Sequence, residues 1–194
     1  MIVAVIAAAA VLVVLTAVLS HIARPRGDGS RSAAPPSSAA PPAPAPTAAQ
    51  VALARRAQRL VDVRPAELGY RLVVRGARPG LRGATDTAAR TITLYVDDRQ
   101  AAHRVAHDLA HELGHAYDAR RMDGAARARW LRLRGAVRTP WSPGGARSDY
   151  ATGAGDFAEA FARCHAASSE FRSRVAAAPA DACALLPARA RAAR

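Results

Sequence analysis

Three regimes of hydrophobic patterning follow one another along the chain. From Ile2 to Ser20 the residues are apolar or small and carry no charge. As a helix at ~1.5 Å per residue this run would reach roughly 28 Å, close to the ~30 Å core of a bilayer. It reads as a single-pass N-terminal anchor over residues 1–23, or as a secretory signal if it is cleaved. Residues 24–47, RPRGDGSRSAAPPSSAAPPAPAPT, show no apolar periodicity. Proline fixes φ, and alanine and serine have little to bury, so a solvated Pro/Ala/Ser-rich linker is expected.

Folding signals begin at Ala48. Val51, Leu53, Ala54, Ala57, Leu60 and Val61 recur near helical spacing, opposite Arg55, Arg56 and Arg59. Residues 70–74 and 91–96 switch to strand patterns, with Ile92, Leu94 and Val96 on one face. The intervening GARPGLRGATD is turn chemistry. Asp97 or Asp98 is placed to cap a helix reaching about Arg120, and a second helix fits residues 123–134. Residues 135–155 are loop-like, and a third helix is expected to begin near Asp156. The sum is an α+β domain over residues 48–194, with a short antiparallel sheet and a C-terminal helical part.

Composition narrows the classes. The chain has 194 residues and a net charge of +13, with every cation an arginine. A disulfide-dense miniprotein, a polytopic membrane protein and a fully disordered chain are excluded. Nucleic-acid binding needs basic residues interleaved with stacking aromatics. Two Trp, four Tyr and three Phe are few for that, so no specific nucleic-acid partner is expected. Arg24, Arg26 and Arg31 behind the apolar run favour a cytoplasmic domain by the positive-inside rule. The linker and the pair of cysteines favour export. The expected location is the cell membrane with an exported domain, or a secreted one after cleavage. Cys164 and Cys183 lack metal-knuckle spacing and suit a disulfide tying the tail to the third helix.

Chemistry concentrates in His103-Arg-Val-Ala-His107-Asp-Leu-Ala-His111-Glu112-Leu-Gly114-His115-Ala-Tyr-Asp118. His111 and His115 are i and i+4 on one helix face and can share a tetrahedral zinc ion. Glu112 beside them is placed to take a proton from water at that metal. His103 and His107 are too far along the helix to join the same site, and are expected to be exposed or supporting. Asp118 lies on the ligand face and can orient an imidazole through its distal N–H. Gly114 leaves backbone open where a strand or substrate could approach closely. A third ligand is required, and Asp156 and Glu159, i and i+3 in GDFAEAF, are the candidates.

HELGHAYD followed downstream by FAEAF resembles the short gluzincin metallopeptidases, of the anthrax lethal factor catalytic-domain type, over roughly residues 90–165. The resemblance implies a zincin-like fold and a zinc-dependent peptidase. It implies a glutamate two residues before the FAE phenylalanine as third ligand, and an upstream tyrosine that stabilises the tetrahedral intermediate. Tyr150 matches the tyrosine. The ligand position falls on Gly155, leaving Glu159 or Asp156 to supply the oxygen. The function expected is a membrane-anchored or secreted zinc metallopeptidase, monomeric, acting on peptide or protein substrates. Substrate backbone is expected to pair with the edge of the 91–96 strand. The alternative is a zinc-containing binding module of the cell envelope without turnover.

Overall fold

The computed structural model describes residues 42–143 and 148–191. The expected anchor and most of the linker lie outside the described residues. Among the described residues no helix is long and apolar enough to cross a membrane. The element order is α1 (Ala48–Gln58), β1 (Arg71–Gly76), β2 (Gly83–Asp86), β3 (Thr91–Val96), α2 (Ala102–Arg121), α3 (Gly124–Leu133), α4 (Gly153–His165), α5 (Ala182–Leu185) and α6 (Ala188–Arg191). The α+β class is that of the sequence reading.

Helix starts follow local side chains, not always the expected ones. Thr47 caps α1 in a reciprocal capping box, its hydroxyl accepting from the Gln50 N–H while Gln50 accepts from the Thr47 N–H. Neither Asp97 nor Asp98 caps α2. Asp97 instead closes a turn by accepting from the Arg99 N–H, and α2 starts after Ala101 with no side-chain cap. α4 begins three residues earlier than expected, at Gly153, because the Thr152 hydroxyl accepts from the Gly155 N–H. The chain joins the fold before α1: the Pro44 carbonyl accepts from the Gly76 N–H at 2.9 Å.

The sheet is mixed, not antiparallel, with order β1-β3-β2. β1 runs parallel to β3, pairing Leu72 with Ile92 and Val74 with Leu94. β2, which the sequence reading took for turn, is antiparallel to β3 and pairs Gly83 with Leu94 and Thr85 with Ile92. β3 is therefore central, which explains the burial of Thr91, Ile92, Leu94 and Val96. Both its edges are occupied, so the expected pairing of substrate with β3 is overturned. Among the described residues the free edge beside α2 belongs to β2.

The core lies between this sheet and the helices. α2 packs along α4, α1, β2 and β3. α2 and α4 approach so closely that a Cβ on Gly114 would sit 2.7 Å from Ala158 Cα. A helix, not a strand or substrate, fills the space that Gly114 leaves. Phe157 and Phe161 of α4 are fully buried against Tyr117, with Trp130 edge-on to Phe157. A Cys164–Cys183 disulfide joins α4 to α5 and closes the irregular segment between them.

Candidate active site

α2 carries the HExxH residues one turn apart, so the two histidines project together. Their Nε2 atoms lie 3.1 Å apart. A third donor arrives from the turn just before α4. Asp149 Oδ2 stands 3.1 Å from His111 Nε2 and 3.2 Å from His115 Nε2. Among the described residues these three form a cluster able to hold a metal ion. Asp149 was not singled out in the sequence. Its signal was modest: an acidic residue beside Tyr150, directly ahead of a helix N-terminus.

Gly155 explains how Asp149 gets there. A Cβ on Gly155 would stand 2.7 Å from Asp149 Oδ2 and collide with its backbone carbonyl. The position that lacks a ligating side chain is the floor on which the Asp149 turn rests.

Glu159 and Asp156, the two expected ligand candidates, do different things. Glu159 is fully buried, and its Oε1 contacts His111 Nδ1 at 2.8 Å and His107 Nε2 at 3.2 Å. Its other oxygen accepts from the Arg172 backbone N–H. Glu159 thus grips the face of His111 away from Asp149. Asp156 is also fully buried, but it accepts from Trp130 Nε1 at 3.0 Å, Arg134 Nε at 2.8 Å and Ser173 Oγ at 2.6 Å. All its bonds anchor α3 and the segment after α4. Asp118 does not reach an imidazole either. It accepts from Arg127 Nε at 2.8 Å and Trp141 Nε1 at 2.9 Å. His107 is buried in its supporting place, whereas His103 is exposed.

Glu112 lies under β2. Thr85 Oγ1 donates to Glu112 Oε2 at 2.7 Å, and a Cβ on Gly83 would meet Glu112 Cγ at 2.6 Å. A residue other than glycine at 83 would displace the Glu112 side chain or the strand above it. Tyr150 follows Asp149 directly, its ring centroid 5.4 Å from that of His111. Its hydroxyl oxygen accepts from Arg172 Nη1 at 3.2 Å, and the same nitrogen donates to buried Asp108 at 2.7 Å. Arg172 therefore touches both the residue behind His111 and the tyrosine in front of it. Nothing in the sequence marked Arg172.

Burial would raise the carboxyls of Asp149 and Glu159, but hydrogen bonds from the histidines hold both well below the usual range. Burial would lower the His111 imidazole, yet the bonds to Asp149 and Glu159 lift it well above its ordinary value. For Arg172, burial is likewise outweighed by Glu170 and Asp108.

His111, Glu112, His115, Asp149 and Tyr150 line one cleft of about 1450 Å³ together with Gly83 and Thr85, whereas His107, Asp156 and Glu159 are buried behind it. That exceeds the ~300–1,000 Å³ usual for small-molecule pockets. No protein-family model, curated protein or solved structure matches the chain.

Proposed function

We propose that the chain is a zinc-dependent peptidase with a zincin-like domain, its metal held by His111, His115 and Asp149. The observation that carries this reading is the convergence of His111 Nε2, His115 Nε2 and Asp149 Oδ2 beside the HExxH glutamate. A tetrahedral ion with bonds of ~2.0–2.1 Å holds its ligand atoms about 3.3 Å apart, close to the 3.1–3.2 Å spacing of these three atoms. The donor chemistry fits as well. Glu159 accepts the Nδ1 proton of His111, which leaves the Nε2 lone pair free to ligate. The third ligand is then an aspartate, a departure from the glutamate of the gluzincin pattern. The non-catalytic alternative drew on the gap at Gly155 and on the net charge of +13; Asp149 offers a ligand atom where Gly155 has none, which supports the catalytic reading.

Bound there, zinc supplies Lewis acidity that makes water nucleophilic near neutral pH and polarises a carbonyl. Glu112 takes the proton of the attacking water and delivers it to the leaving amine. Thr85 holds its carboxylate in place. Tyr150 has its oxygen engaged by Arg172 as acceptor, so its own proton is available to the oxygen on which charge develops. Substrate backbone pairs with the edge of β2. The Tyr95 N–H donates to the Arg82 carbonyl, and antiparallel alternation then turns the N–H and C=O groups of Gly83 and Thr85 outward. The disulfide favours an oxidising compartment, in keeping with an anchored, exported domain or a secreted one.

The test is zinc content of the full chain beside His111→Ala, Asp149→Ala, Asp156→Ala and Glu159→Ala, with hydrolysis of a mixed peptide pool. The expectation is about one zinc per chain, lost with His111 or Asp149, and hydrolysis abolished by Glu112→Gln. Zinc kept in Asp149→Ala would reject the ligand assignment. A zinc-loaded parent that cleaves nothing would reject the peptidase.

A further inference from the structure

The cleft is electrically lopsided. Of its lining carboxylates, Asp108 is engaged by Arg172, Asp118 by Arg127 and Trp141, and Asp149 by the two histidines. Glu112 is bonded to Thr85. The arginines on the sheet side are matched only loosely: among the described residues their one carboxylate contact within 4 Å is Arg82 to Asp108 at 3.9 Å. Arg78 and Arg82 lie on the stretch leading into β2, and Arg99 and Arg104 lie around the start of α2, all lining the same cleft. The first stretch is tied to the end of β3 by the bond from Tyr95 N–H to Arg82 carbonyl, and β3 leads on through a short turn to the second.

Arg82, Arg99 and Arg104 are exposed. Asp108 stands 3.9 Å from Arg82, beyond hydrogen-bond reach, its oxygen accepting from Arg172 at 2.7 Å, and Glu170 is within electrostatic reach of Arg82. Arg78 rests over the Tyr95 ring. Asp97, which also lines the cleft, accepts from the Arg99 backbone N–H. The arrangement also runs against the helix dipole. The first turn of α2 holds no acid and no side-chain cap, although the positive end of a helix favours anions. Four guanidinium groups and that helix end thus share one wall, beside the outward backbone groups of Gly83 and Thr85.

We propose that this wall selects an acidic polypeptide segment, extended along the β2 edge with its carboxylates on Arg78, Arg82, Arg99 and Arg104. The idea rests on reading the cleft as a peptide site and adds the substrate class. A polypeptide fits better than a nucleic acid because the β2 edge offers backbone pairing, while the only aromatic rings lining the cleft outside the histidines are Tyr95 and Tyr150. The acidic side chains raise the encounter rate and fix the register, as complementary charge does at other interfaces.

The test uses the full chain carrying Glu112→Gln, with fluorescent peptides read by anisotropy, so that binding is scored without turnover. The probes are a peptide with Asp and Glu at alternate positions, its Asn/Gln counterpart, and an oligothymidylate of similar length. The acidic peptide should bind at least about tenfold tighter than the amide one in low salt, and the ratio should collapse toward one in high salt. Arg82→Gln with Arg104→Gln should erase the preference, while Arg55→Gln with Arg59→Gln on α1 should leave it. Equal binding of the two peptides would overturn the proposal. So would tighter oligothymidylate binding, or equal loss from both arginine pairs, which would mean diffuse surface charge. Cleavage by the parent separates the two ideas. Acid-selective binding without hydrolysis rejects the peptidase and keeps the docking wall; hydrolysis without acid preference does the reverse.

Discussion

At the scale of single residues, the site turns on glycines as much as on ligands. Gly155 has no side chain to offer a metal, yet its missing Cβ is what lets the Asp149 carboxylate stand 3.1–3.2 Å from His111 and His115. Gly155→Ala is expected to displace the Asp149 turn and weaken zinc binding by about tenfold or more, in the range seen when a ligand's support is removed. Helical content should hold, because alanine favours the helix over glycine. Competitive chelator titration with far-UV circular dichroism checks both halves; unchanged zinc affinity would speak against Asp149 as a ligand. His111, Glu112 and His115 were legible in the sequence because i, i+4 spacing is a local property of a helix. Asp149 and Arg172 were not, because they reach the site only after the chain turns back.

At the scale of elements, the contact between α2 and α4 sets the geometry. It brings Glu159 behind His111 and sets α4, with the Asp149 turn before it, against the ligand face. Gly114 permits that approach, and a Cβ there would lie 2.7 Å from Ala158 Cα on a partner that cannot give way. Gly114→Ala should destabilise by about 1–3 kcal/mol through overpacking. Gly124→Ala on α3, where a Cβ meets open space, should be neutral or slightly stabilising. Thermal melts of both variants decide this, and equal melting temperatures would reject the tight crossing. The existence of α2, α3 and α4 was readable from periodicity. The start of α4 was missed because the Thr152 hydroxyl competes for the cap, and β2 was missed because GATD is short and looks like turn.

At the scale of the molecule, the site stores charge whose balance depends on pH. The carboxyls of Asp149 and Glu159 lie well below their ordinary 3.8 and 4.5 in the metal-free protein. The unfolded chain takes up those protons first, so their contribution is complete above about pH 4.5 and is lost as pH falls further. His111 lies well above its ordinary 6.5. Its contribution is complete below about pH 6.5 and declines as pH rises through the folded value. Metal-free protein should therefore melt highest in a mildly acidic window. Zinc must displace a proton from the histidines, so the stabilisation it adds should grow with rising pH. Melts of chelated and zinc-loaded protein across that range test this; a pH-independent zinc increment would contradict it.

The sequence by itself determined the α+β class, the helix with its His-Glu-His face, and the cysteine pair that the fold joins, because spacing along one helix and the residue types present are local facts. Only the tertiary structure decided which carboxylate faces the histidines, which strand lies central and which edge stays open. Those outcomes depend on how segments distant in sequence pack: α4 laid across α2, the Asp149 turn seated on Gly155, and Arg172 carried back by the segment closed between Cys164 and Cys183. A side chain's distance from a partner many turns away is set by that packing, and no local pattern encodes it.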